Sequence, residues 1–191
     1  MKRPANRNTQ PLPAILKLTA LIMKKSIILL FILSNLISCN KSPYQEFDFS
    51  YADTETYFSV KFTQSDTVYI RQNWTKNDLS KNSLLPSNKI DYVGILNSVQ
   101  RKKLDSFLIH TDFQIFDSLY EENIMDGSIY KFYLLKNDSV KMIKIHSRKP
   151  PTELKEFAFW IIKTKDELNL VKTFNHFKIR SKDIFYKPEP L

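Results

Sequence analysis

Glycine is nearly missing from this chain. Gly94 and Gly127 are the only two in 191 residues. They are too few and too far apart for a dinucleotide fingerprint or a phosphate-cradling loop, which need closely spaced glycines so that backbone can approach a phosphate. The same scarcity excludes a Gly-x-Ser-x-Gly nucleophile elbow, and no Ser/His/Asp set can be assembled from the spacing of the plentiful serines. Cysteine occurs once, as Cys39, which excludes an intrachain disulfide and a thiolate-rich zinc site. His110, His146 and His176 are the only histidines, and they stand isolated, whereas a metal centre needs three or four converging ligands and usually a short-range pair. No metal and no cofactor is expected.

Acidic residues are absent from the first 38 positions, which hold six of the chain's 29 Lys and Arg. The formal net charge of +9 is therefore concentrated at the amino end, and the remainder carries 23 basic against 20 acidic groups. That balance is not a nucleic-acid footprint, so no nucleic-acid partner is expected. Arg101-Lys102-Lys103 and Arg148-Lys149 read as solvated faces.

What is present at the amino end is an address. Met23-Lys24-Lys25 opens an apolar run, Ser26-Ile27-Ile28-Leu29-Leu30-Phe31-Ile32-Leu33, that closes on Leu36-Ile37-Ser38-Cys39. A charged n-region, an apolar h-region and small or branched residues before the cysteine are the parts of a secretory signal. The segment resembles a bacterial lipoprotein signal peptide. The resemblance implies a diacylglycerol thioether on Cys39, cleavage before it and acylation of the new amino terminus. An uncleaved membrane helix is the competing reading, but Lys17, Lys24 and Lys25 interrupt the longer stretch, and 26–38 falls short of the about 20 apolar residues a span requires. Residues 1–22, with Pro4, Pro11, Pro13 and four basic groups, read as an extension before a true initiator at Met23. The expected partition is thus 1–22 extension, 23–38 signal peptide, 39–45 tether and 46–187 a single domain. Asn40-Lys41-Ser42 lacks the acidic run of surface-export signals in Bacteroidota, so the expected location is the cell envelope, lipid-anchored on the periplasmic side of the outer membrane.

A mature chain of about 150 residues can bury roughly 70% of its unfolded surface, and 14 Phe, 9 Tyr and 2 Trp supply apolar area in abundance. Phe47, Phe49 and Tyr51 alternate with polar residues at the period of a half-buried strand. Phe58, Val60 and Phe62 repeat the pattern, and Gln64-Ser65-Asp66 turns the chain into a strand at 67–71. Residues 75–89, rich in Asn, Ser, Lys and Asp, read as a loop, followed by a short strand at 90–96. Asn97 with Gln100 forms a capping box, and Val99, Leu104, Phe107, Leu108 and Thr111 recur at helical spacing. A brief extended segment is expected at 113–116. A hairpin follows, with strands at 129–135 and 140–146 around Lys136-Asn137-Asp138-Ser139. Pro150-Pro151 opens a second helix with a Leu154, Phe157, Ala158, Ile161 stripe, which breaks near Thr164-Lys165-Asp166-Glu167. A last strand is expected within 176–184. This order predicts an α+β fold: an antiparallel β-sheet with two main helices packed on one face, a two-layer sandwich.

Leu104-Asp105-Ser106-Phe107, Phe113-Gln114-Ile115-Phe116, Leu119-Tyr120 and Pro150-Pro151-Thr152-Glu153-Leu154-Lys155-Glu156, with the hairpin between them, are similar to an uncharacterised domain family common in Bacteroidota lipoproteins. The likeness covers roughly 49–162. This chain lacks the cysteine pair, the Cys-Pro-x-Tyr element and the turn glycine that members often carry, so the resemblance implies fold and location and no site.

Candidate chemistry is sparse. Glu121 and Glu122 are adjacent carboxylates, which with His146 suggest acid and base roles in a hydrolase-like lipoprotein, although adjacent loop acids are more often solvated. Tyr57 and Tyr69 fall on the polar face of their hairpin, where with Trp74, Tyr130 and Tyr133 they suggest either a stacking platform for a glycan or peptide or plain cross-strand packing. The expected function is a non-catalytic, membrane-tethered module that binds a protein, peptide or glycan in the envelope. A catalytic lipoprotein and an inhibitor or immunity-type lipoprotein are the alternatives.

Overall fold

The computed structural model describes residues 42–76, 89–124 and 127–182. The chain divides into two compact units, Met1–Lys41 and Ser42–Leu191, and every described residue lies in the second. In chain order the elements are β1 (Glu46–Ala52), β2 (Thr56–Phe62), β3 (Thr67–Thr75), β4 (Ile90–Ile95), α1 (Ser98–His110), a 3-10 turn (Phe113–Ile115), β5 (Leu119–Glu121), β6 (Ile129–Lys136), β7 (Ser139–His146), α2 (Thr152–Glu167) and β8 (Val171–Lys172). The strands form one mixed sheet in the order β5-β7-β6-β1-β2-β3-β4-β8, so the fold is α+β.

Alternation along the strands produces two chemically different faces. Phe47, Phe49 and Tyr51 of β1 share one face with their register partners Phe62, Val60 and Phe58 of β2 and Leu134, Phe132 and Tyr130 of β6. Buried side chains of both helices join these in one cluster. Phe157 of α2 stacks on Phe47 at 5.2 Å, on Phe107 of α1 at 4.5 Å and on Phe132 at 5.8 Å between ring centroids, while Phe113 meets it edge-on at 6.2 Å. Each such pair contributes beyond simple area burial. Leu104, Leu108, Leu154 and Ile161 complete the cluster and are fully buried.

Local chemistry sets the element ends. Asn97 Oδ1 accepts from the Val99 and Gln100 amides at 3.0 and 2.9 Å, and Gln100 Oε1 accepts from the Asn97 amide at 3.0 Å, the reciprocal box the spacing predicts. Asn137 and Asp138 join β6 to β7 with φ of 50° and 60°, the two left-handed residues that a type I′ turn demands and that Asn and Asp tolerate. Gln45 holds that turn from outside, donating to Asp138 Oδ1 at 2.8 Å and accepting from the Asp138 amide at 3.0 Å. Gly94 lets the chain after α2 pass close to β4, because a Cβ there would stand 3.1 Å from Leu170 and 3.3 Å from Leu168.

Several expectations are corrected. The sheet is not wholly antiparallel, because β5 pairs in parallel with β7. β6 starts at the end where β7 finishes, so a strand leading into β6 from the free edge of β7 must run in β7's direction. Residues 113–115 are a 3-10 turn rather than extended, started by Asp112, whose carboxylate accepts from the Gln114 amide at 3.1 Å. Helix α2 runs through the buried Thr164 and ends at Glu167, within the stretch where the break is expected. Val99 is 74% exposed, and the buried side of α1 is carried by Leu104 and Leu108. The expected closing strand is absent among the described residues of 176–184. Ile179 and Ser181 are buried between exposed Arg180 and Lys182, so the period of two is real, but the segment lies against the face of the sheet rather than in its ladder. The strand that joins the sheet instead is β8, beside β4. The loop expectation for 75–89 falls mostly on 77–88, outside the described residues.

Phe157 is the side chain that both helices and the sheet share. Truncation to Phe157→Ala should destabilise the domain by roughly 3–5 kcal/mol in urea unfolding, the range for large-to-small aromatic changes in a core. Phe174, 98% exposed, is the control, and Phe174→Ala should stay within about 0.5 kcal/mol.

Candidate functional site

The face of the sheet away from the helices is polar along its centre and covered by the chain's own C-terminal segment. Thr173 donates its amide to the Asp91 carbonyl at 2.9 Å, Phe177 stacks on Tyr69 at 5.0 Å, and the Arg71 guanidinium sits 4.7 Å over the Phe177 ring while holding Asp91 through two 2.8 Å hydrogen bonds. Farther on, Ser181 Oγ lies 2.7 Å from Ser50 Oγ, which donates to Ser59 Oγ at 2.8 Å, and the Tyr57 hydroxyl donates to the Lys182 carbonyl at 2.6 Å. Tyr57 and Tyr69 therefore share a face as the alternation requires, but a segment of this same protein occupies the stacking surface they offer.

Beneath that segment lies a carboxylate with no access to water. Asp48 is fully buried, accepts from the Arg180 amide at 2.6 Å through Oδ2, and has Oδ1 3.6 Å from the Lys61 ammonium, with no hydrogen bond to Oδ1 among the described residues. Burial pushes its pKa up to about 6, against the pull of the Arg180 amide and Lys61; Glu46 pushes in the same direction as burial.

The proposed acid pair is drawn into structural roles. Glu121 is the register partner of His146 across β5 and β7, and its carboxylate accepts from the Lys144 ammonium at 3.3 Å. Glu122 accepts from the Ser147 hydroxyl and, at 3.2 Å, from the Arg148 amide, and these two bonds hold its pKa below the ordinary carboxylate value. It is the anchor of the turn after β7. None of Glu121, Glu122 and His146 lines the cleft beside that turn.

That cleft, of about 230 Å³, opens where β1, β6 and α2 diverge. Tyr51, Ser128 and Tyr130 form the sheet side, Ala158, Phe159 and Ile162 the helix side, and Ser147, Arg148 and Lys155 the polar rim. The Tyr51 hydroxyl donates to Asp53 Oδ2 at 2.8 Å and lies 3.0 Å from Ser128 Oγ, and burial raises its pKa to about 12, so it is a neutral hydrogen-bonding group at physiological pH. The Lys155 ammonium stands 5.7 Å from the Phe159 ring centroid, and Phe159 is 58% exposed. Among the described residues neither Arg148 nor Lys155 makes an ion pair. The arrangement is a largely apolar hollow whose polar lining holds Arg148, Lys155 and the Ser147 hydroxyl, the last of them hydrogen-bonded to Glu122. Sequence reasoning passed over these residues because they come from four separated segments. The one signal was Phe159, a large apolar residue off the Leu154, Phe157, Ala158, Ile161 stripe.

Among the described residues no group of three His, Cys, Asp or Glu side chains could hold a metal ion, and no helix is long and apolar enough to cross a membrane. Cys39 lies outside the described residues.

The buried carboxylate generates a pH prediction. Its folded pKa, about 6, exceeds the unfolded value of 3.8, so its contribution to stability is fully present below about pH 3.8 and is lost as pH rises through about 6. Asp48→Asn keeps an acceptor for the Arg180 amide and removes the titration. Above pH 7 the variant should exceed the parent by on the order of 2 kcal/mol in denaturant unfolding, with the gap closing toward pH 4; a gap independent of pH would refute the assignment. No family model and no curated protein matches this chain.

Proposed function

We propose that this protein is a lipid-anchored bacterial lipoprotein of the cell envelope, attached through Cys39, whose domain is a non-catalytic binding module. In this reading it belongs with the uncharacterised Bacteroidota lipoprotein domains that its helix and hairpin segments resemble. The sheet and helices form a two-layer sandwich, with the C-terminal segment as a partial cover on the far side. The observation that carries the binding role is the cleft: two cations that make no ion pair among the described residues line it beside an exposed phenylalanine, the mixed polar and apolar lining of a binding site.

Connectivity supports the tethered arrangement. Residue 42 follows Cys39 by three positions, and Tyr44, buried and donating to the Thr63 carbonyl, pins the chain at the start of β1. Tyr51 lines the cleft near the other end of that strand, roughly 20 Å away at about 3.3 Å per residue. Tyr44 thus stands at one end of β1 and the cleft at the other. Two or more acyl chains hold a lipid anchor stably, whereas one gives only marginal attachment.

Two measurements test the reading. Cys39→Ala should abolish labelling by an alkyne fatty acid and release the protein from the membrane fraction; retained label removes the anchor. A pull-down from detergent-solubilised envelopes should recover a specific partner that Phe159→Ala loses and Phe174→Ala keeps; equal recovery by both variants, or none by the parent, removes the binding role of the cleft.

A further inference from the structure

The cleft also carries information about what it binds, and this step rests on its reading as a binding site. Its volume of about 230 Å³ lies below the usual range for drug-sized ligands. The occupant is therefore small. The walls are mostly apolar, with Ile124, Tyr130, Ala158, Phe159 and Ile162 contributing hydrocarbon or ring surface. Positive charge lies on the rim alone. Arg148 offers a planar fork that matches a carboxylate in two parallel hydrogen bonds, and Lys155 adds a second cation one helical turn before Phe159. Glu122 is hydrogen-bonded to Ser147 and the Arg148 amide; it feels the Arg148 charge, but among the described residues the guanidinium makes no ion pair. The Tyr51 hydroxyl, already donating to Asp53, lies 3.0 Å from Ser128 Oγ, so the Ser128 hydroxyl is the neutral hydrogen-bonding group of the sheet side. A doubly charged phosphate would set a strongly hydrated head against these walls, whereas a singly charged carboxylate on an apolar body satisfies both halves of the lining.

We propose that the cleft between Arg148, Lys155 and Phe159 is a binding site for a small monocarboxylate with an aryl or aliphatic body, its carboxylate on the two rim cations and its apolar part against Phe159 and Ile162. The charged head lies at the mouth and the body points inward between β6 and α2. Arg148 and Lys155 are binding residues with no role in bond making or breaking.

The test uses the full chain in neutral phosphatidylcholine nanodiscs and fluorine NMR of 3-(4-fluorophenyl)propionate, with empty discs as background. The acid should bind saturably. Its uncharged amide should bind at least about tenfold more weakly, the loss expected when a charge-assisted contact is removed. Arg148→Gln and Lys155→Gln should each weaken the acid by about tenfold and together by more, and Phe159→Ala should weaken acid and amide alike. Lys163→Gln, on a side chain that is 77% exposed on the same helix, should change nothing. Thermal melts check that each variant remains folded. Equal affinity for acid and amide, undiminished binding in the Arg148→Gln, Lys155→Gln double variant, or no saturable binding of the acid overturns the ligand class. If the acid fails while the envelope partner still depends on Phe159, the module reading stands without this ligand; if both fail, neither stands.

Discussion

The structure depends on β1 being buried on both faces. Phe47 and Phe49 face the helices with no exposure, and Asp48 and Ser50 face the other way with no exposure either. A central strand of an antiparallel array can keep one face in water, and the polar residues of this one would be content there. Here they are covered, so their hydrogen bonds have to be made within the protein. Residues 180–182 meet that demand through the Arg180 amide on Asp48 and Ser181 on Ser50, and β2 supplies Ser59 and Lys61 from the side. The C-terminal segment is thereby part of the domain rather than a tail.

The two faces are stabilised by different physics. The helix face is a continuous aromatic cluster, with Phe157 in contact with rings from β1, β6, α1 and the 3-10 turn. It is tolerant of pH and driven by burial of apolar area. The opposite face rests on a few polar pairs of high individual consequence, because a buried carboxylate with one unbonded oxygen is costly in its charged form. Between Tyr51 and Ser128 on one side and Ala158, Phe159 and Ile162 on the other, neither kind of packing closes the gap, and the cleft with Arg148 and Lys155 is what remains. The functional reading follows from incomplete packing at the end of the sheet rather than from an inserted catalytic loop.

Much of this architecture was legible beforehand, and the reasons are local. The hairpins of β1 to β3 and of β6 to β7 follow from alternation and from Asn137-Asp138, which tolerate the left-handed turn. The start of α1 follows from Asn97 and Gln100. The errors share one cause. Periodicity reports which side of an element is buried and not what buries it, so 176–184 reads as a strand although its described residues lie against a sheet face. β5 escaped because three residues are too few to carry a pattern. Tyr57 and Tyr69 were placed on the correct face, but no local signal shows that Phe177 and Lys182, more than a hundred residues later, would occupy it.

The sequence by itself determined the mixture of strands and helices, because that is written in spacing over a few turns of chain. Only the tertiary structure decided that Glu121 and Glu122 are tied to Lys144, Ser147 and the Arg148 amide, that Asp48 is cut off from water, and that Tyr51, Arg148, Lys155 and Phe159 surround one hollow. Those are relations between segments distant in the chain, and distance in space is set by the packing of the whole core, which no local pattern specifies.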